Sequence, residues 1–138
     1  KITIVGPVGT PEDLNNASVV MKVVYGKNSF LFTGDAEEKS EKKILTNGAD
    51  IKADVLKLGH HGSSTSTSEE FLKVVSPSLA LISCGKDNDY GHPHKETIEK
   101  LEKYNIPYER TDIKGTIVVG SDGEHLSTAF PDNKTAEK

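Results

Sequence analysis

Apolar and polar positions alternate through residues 18–34, SVVMKVVYGKNSFLFTG, with β-branched and aromatic residues on both sides of Gly26-Lys27-Asn28-Ser29. That alternation around a short polar break predicts a β-hairpin. Ile2 to Val5 predicts a strand before it, and residues 6–16, with two prolines, two glycines and paired asparagines, predict a loop. The period then changes. Ala36 to Thr46 reads as a helix, with Asp35 as its N-cap, Glu38 three residues on and Gly48 beyond its end. Asp54 to Leu58 reads as a short strand. Ser66 or Ser68 caps a helix that runs through Val75 and stops at Pro77. Leu79 to Ser83 is another apolar strand. Gly91 or His92 opens a helix with Pro93 near its first position, a place that suits proline. In that helix Ile98 and Leu101 face the core, while Glu96/Lys100 and Glu99/Lys103 pair on the wet side. Short strands follow at 108–111, 116–119 and 124–128. Residues 1–130 thus form one domain, and 131–138 a frayed tail.

Strands and helices alternate in the middle of the chain, and hairpins sit at both ends. The expected fold class is α/β, a mixed sheet with flanking helices. In such sheets functional residues gather where strands end and helices begin.

Composition narrows the partners. Seventeen basic residues stand against 21 acidic ones, a net charge of −4, and no basic stripe appears. With no evident aromatic platform either, an autonomous nucleic-acid-binding domain is disfavoured. The single cysteine, Cys84, excludes an internal disulfide and reads as a small buried hydrophobe. No apolar run is long enough to span a membrane.

Three polar clusters fall at three strand ends: TGDAE at 33–37, GHHGS at 59–63 and YGHPH at 90–94. If the strands are parallel, Asp35, His60, His61, His92 and His94 share one edge of the sheet. Imidazole and carboxylate together suit a zinc-like ion, which takes nitrogen and oxygen donors. Each residue also has a plainer reading. Asp35 is an N-cap, His60 and His61 a surface pair, His92 a cap, and His125 a surface residue in a terminal hairpin; Lys57 and Lys86 reach phosphate or, more simply, are solvated lysines, and Tyr90 packs beside the site or in the core. The convergence of three clusters on one edge favours a site.

In order along the chain, NNASVVMKVVYGKNSFLFTGDAE, DVLKLGHHGSSTS, YGHPH and TDIKGTIVV resemble the metallo-β-lactamase superfamily. More narrowly, they resemble the hydrolase domain of ComEC-type DNA-uptake competence proteins, from about Asn15 to about Phe130. The resemblance implies an αββα sandwich. It implies that Asp35 bridges two metal ions, that His92 or His94 supplies a further ligand, and that His60 and His61 lie at the rim or on a metal. Asp35, His60 and His61 are then the candidate catalytic residues, with zinc or manganese as cofactor. The implied substrate is DNA or another phosphodiester, cleaved during uptake at the extracytoplasmic face of the membrane by a membrane-embedded parent. One departure qualifies this. The superfamily's first, histidine-rich metal motif is missing, since no histidine precedes His60. The chain is therefore expected to be the C-terminal part of the domain and inactive alone. It would expose the face that meets the missing N-terminal half, a face open to self-association. The competing expectation is a non-catalytic interaction or structural module of a DNA-transport membrane protein.

Overall fold

The computed structural model describes residues 1–133. Six strands form one mixed sheet in chain order: β1 (Ile2–Gly6), β2 (Val20–Tyr25), β3 (Asn28–Phe32), β4 (Val55–Lys57), β5 (Leu79–Ile82) and β6 (Tyr108–Arg110). β1, β2 and β3 pair antiparallel, and β3 through β6 pair parallel. Helices α1 (Glu38–Thr46), α2 (Glu69–Val75) and α3 (Lys95–Lys103) supply the crossovers, followed by the short α4 (Thr111–Lys114). β7 (Val118–Ser121) and β8 (Leu126–Ala129) make a separate two-stranded sheet.

Strand parity decides what each face buries. Register places Leu31, Leu56 and Ala80 in one row, and all are fully buried with Ile82 under Ile44, Phe71, Leu72, Val75 and Leu101 of the helices. Each such aliphatic or aromatic side chain contributes about 1.5–3 kcal/mol by leaving water. The opposite face is another apolar row, built from Ile2, Val23, Phe30, Val55 and Leu79 beside Ile4, Met21, Phe32, Lys57 and Leu81. No helix covers it. Ile2 is 67% exposed, Ile4 59% and Phe32 38%. Ile117 and Val119 approach from the C-terminal hairpin and leave a cleft of about 220 Å³ against Phe30, Phe32, Val55, Lys57 and Leu81. Among the described residues, no helix is long and apolar enough to cross a membrane.

The β2–β3 hairpin closes through Gly26-Lys27, with Tyr25 opposite Asn28. Gly26 has φ +57, and a Cβ there would strike the Gly123 backbone, so only glycine lets the C-terminal hairpin dock on this turn. Lys27 N–H donates to the Gly123 carbonyl at 2.6 Å.

Several local expectations change. α1 begins at Glu38, and Glu37, not Asp35, occupies the N-cap position without a side-chain cap. The free N–H groups of Glu37 and Ser40 donate instead to Asn16 Oδ1, each at 3.2 Å, from a loop 21 or more residues upstream. Pro93 precedes the N-cap residue of α3, His94, and is not in its first turn. Lys100 donates to the Thr67 carbonyl and Lys103 pairs with Glu69, so the wet-side partner in α3 is Lys95–Glu99. Residues 111–114 form α4 after β6. Pro131–Asn133, read as part of a frayed tail, make a 3-10 turn, with Asp132 accepting from Thr116 N–H at 2.6 Å; the rest of that tail, 134–138, lies outside the described residues.

Candidate metal-facing site

Parallel pairing of β3, β4 and β5 brings their C-terminal loops to one edge, and the three polar clusters meet there. After β4 the chain turns at once through the GHHG segment, a 3-10 turn at Gly59–Gly62. His60 (φ 45) and His61 (φ 58) are both left-handed. That conformation costs a side-chain-bearing residue roughly 1–2 kcal/mol each and must be held by neighbours. His60 N–H donates to the Gly34 carbonyl at 3.0 Å, and His94 N–H donates to the Gly62 carbonyl at 3.0 Å. Gly59 keeps this turn against the TGD loop, since a Cβ there would come within 2.6 Å of the Ala36 carbonyl oxygen.

His61 is the most informative side chain. Its Nδ1 lies 2.7 Å from the Ser83 carbonyl, which can only accept, so Nδ1 carries the proton. Nε2 is then turned toward Asp35 Oδ1 at 3.4 Å. In the neutral ring, that pair is two lone-pair donors facing each other, beyond ordinary hydrogen-bond distance. A cation between them removes the conflict. The separation suits one divalent ion, because zinc sits about 2.0–2.2 Å from nitrogen and oxygen donors. The backbone carbonyl behind the ring is the usual support for a ligating histidine. Both side chains are nearly half exposed, which leaves the position accessible.

His60 faces another carboxylate: its Nδ1 is 3.4 Å from Glu37 Oε1, without hydrogen-bond geometry, and has no other partner among the described residues. Glu37 is fixed in turn by Asn15 Nδ2, which donates to the same oxygen at 2.7 Å. His94 has both ring nitrogens committed: Nδ1 accepts from Ser64 N–H at 2.9 Å, and Nε2 donates to the Tyr90 carbonyl at 3.1 Å. It braces the GHHGS and YGHPH loops against each other. His92 stands between the two groups, 5.4 Å from the His60 ring and 6.1 Å from His61, nearly parallel to the latter. Burial, then the neighbouring His94, His60 and His61, pull its pKa below the ordinary histidine value and favour the neutral ring.

All five histidine and aspartate candidates therefore sit at one edge, while His125 is exposed beside Asp122 as expected. Sequence reading missed Glu37 and the Ser83 carbonyl, and of its two readings for Tyr90 the structure has the ring beside the site, stacked on His92. The TGDAE motif did hold a signal for Glu37, two residues from Asp35. Lys57 corrects the solvated-lysine reading. It is half-buried, donates to the Gly34 carbonyl at 3.2 Å, and is pushed below the ordinary lysine pKa by burial, partly offset by Asp35. Lys86 is exposed, as expected. Among the described residues, no group of three His, Cys, Asp or Glu side chains can close around one ion. The donors fit a metal as part of a coordination shell.

A six-stranded mixed sheet whose loops gather aspartate and histidine at one edge matches a known family. The model of the metallo-beta-lactamase superfamily matches residues 4–86, and the chain belongs to that superfamily. Its relatives include "ComE operon protein 3" of Bacillus subtilis (strain 168), 45% identical over 107 residues, or 78% of this chain and 14% of that protein. "Recombination protein 2" of Haemophilus influenzae is 45% identical over 105 residues, 76% of this chain and 13% of that protein. "Competence protein ComA" of Neisseria gonorrhoeae is 39% identical over 109 residues, 78% of this chain and 16% of that protein. The chain thus spans only 13–16% of the length of these relatives.

Proposed function

We propose that this chain is the C-terminal part of a metal-dependent phosphodiesterase domain that acts on DNA during its uptake into the cell. The observation that carries the reading is the His61–Asp35 pair, with Nδ1 tied to a carbonyl and Nε2 facing a carboxylate at 3.4 Å. A divalent ion of the zinc or manganese kind, when bound, supplies Lewis acidity and a water acidic enough to react near neutral pH. Asp35 and His61 hold it. Lys57 fixes the carbonyl that precedes Asp35 and sets a positive charge beside the carboxylate. His60, which faces Glu37, would give a proton to the leaving oxygen.

The remaining donors come from an N-terminal half that packs on the open apolar face around Ile4, Met21 and Phe32. Names of the relatives that speak of competence and recombination support the DNA substrate. We further propose, from the family resemblance alone, that the parent protein is anchored in the membrane with this domain on its outer side.

One observation favours a second reading. Three-donor clusters are missing among the described residues. A module that has kept the fold and lost the chemistry would look the same, and would serve as a binding surface in DNA transport. Hydrolysis of a single-stranded DNA by the domain joined to its N-terminal half, with and without zinc or manganese, separates the two. Metal-dependent cleavage abolished by Asp35→Ala and His61→Ala supports the enzyme. Cleavage that survives either change removes the proposed roles, and no cleavage with any divalent ion leaves the module.

A further inference from the structure

The site edge carries an aromatic feature that metal chemistry does not use. Tyr90 is 77% exposed, yet its ring is stacked on His92 at 5.6 Å and 17° between planes. His92 is stacked in turn on His61 at 6.1 Å and 24°. These rings form one pile, from solvent at Tyr90 to the imidazole that faces Asp35.

The backbone that carries the outer ring is tied down. Tyr90 N–H donates to Asn88 Oδ1 at 3.2 Å, and the Tyr90 carbonyl accepts from His94 Nε2 at 3.1 Å. Asn88 ties the far side of the loop, accepting from His92 N–H at 2.9 Å and donating to the His92 carbonyl at 2.6 Å and the Gly85 carbonyl at 2.9 Å. A large aromatic surface left in water is costly for folding. A ring on a tied backbone, with one face against His92 and the other free, loses less entropy when a flat partner settles on it.

We propose that Tyr90 is a stacking platform for a base of single-stranded nucleic acid, seated beside the phosphodiester that the Asp35–His61 edge addresses. The proposal rests on the phosphodiesterase reading above. A nucleobase offers the flat π-face this ring can take, and stacking on aromatic side chains does not depend on base identity. In a duplex the bases are covered by their neighbours, so the platform selects single strands. The net charge of −4 means that phosphate attraction contributes little, and the bases rather than the backbone carry the binding.

The test is fluorescence anisotropy of the protein with a nuclease-resistant phosphorothioate single strand and with an abasic strand of the same length, in EDTA at low salt. The wild type is expected to prefer the base-bearing strand. Tyr90→Phe should keep that preference, and Tyr90→Ala should weaken base-bearing binding by about tenfold, the low end of a stacking contribution, and leave abasic binding unchanged. Thermal melts of both variants establish that the fold is intact. Equal wild-type binding of the two strands, no binding of either, or an unchanged Tyr90→Ala variant overturns the proposal. Cleavage is measured separately, with divalent metal, on the domain joined to its N-terminal half. Its failure with the binding pattern intact removes the phosphodiesterase reading and spares the platform, and the reverse pattern removes only the platform.

Discussion

The Ser83 carbonyl accepts from His61 Nδ1 at 2.7 Å and so fixes which nitrogen of that ring meets Asp35. Ser83 lies just past β5 and His61 just past β4. The orientation of a site group is thus set by the pairing of two parallel strands. If the Nε2–Asp35 edge is where an ion sits, His61→Ala should lower zinc affinity by at least about tenfold in competition with a chelating dye. Unchanged affinity would place the ion elsewhere.

Asn16 does for α1 what no residue next to the helix does, accepting from both Glu37 and Ser40. Asn16→Ala should destabilise the protein by about 1 kcal/mol, as loss of an N-cap does. The melting temperature should fall by about 2–6 °C. An unchanged melt would mean that water satisfies these N–H groups equally well.

Glu41 is buried beneath the site, where it accepts from Thr67 N–H at 2.5 Å and from Ser68 N–H at 2.9 Å. Burial raises its pKa above 4.5 despite those bonds and the nearby Lys100. A raised folded-state pKa gives stability that is present below the unfolded value and lost as pH rises through the folded one. The melting-temperature advantage of the wild type over Glu41→Gln should therefore shrink as pH rises above 4.5. A difference that grows with pH would reverse the sign assigned to this carboxyl.

Lys57→Met keeps most of the volume and removes a half-buried charge. The melting temperature should stay level or rise; on the proposed phosphodiesterase reading, hydrolysis by the domain joined to its N-terminal half should fall by about tenfold or more, as on loss of one electrostatic contact in a site. Full activity would reduce Lys57 to a packing residue.

What could be read from sequence follows the range of the interactions involved. The β2–β3 hairpin was legible because alternation and a polar break are local, and the mixed sheet followed from the order of elements. The cap of α2 was legible as Ser66 or Ser68, and it is Ser68, whose oxygen reaches Phe71 N–H three residues away, while Ser66 donates to the Ala36 carbonyl. The cap of α1 was not, because Asn16 comes from a distant loop while Asp35 stood in the customary place. Lys57 looked solvated because its strand is only three residues long, and its neighbours Phe32 and Leu81 come from other strands. The gathering of Asp35 and the histidines was legible from their common position after strands. The stack of Tyr90 on His92 was not, because ring planes depend on the loop that Asn88 ties.

The parallel order of β3, β4 and β5 also sets when the centre comes into being. The β1–β3 meander can close by neighbouring contacts as it forms. Asp35 must wait until α1 has carried the chain to His61, and His61 must wait until α2 has brought Ser83 alongside. Such crossover pairings join residues far apart in sequence and form slowly. The centre is therefore a late product of folding. An ion bound there, as proposed, would not guide the first steps and would act by trapping the finished arrangement.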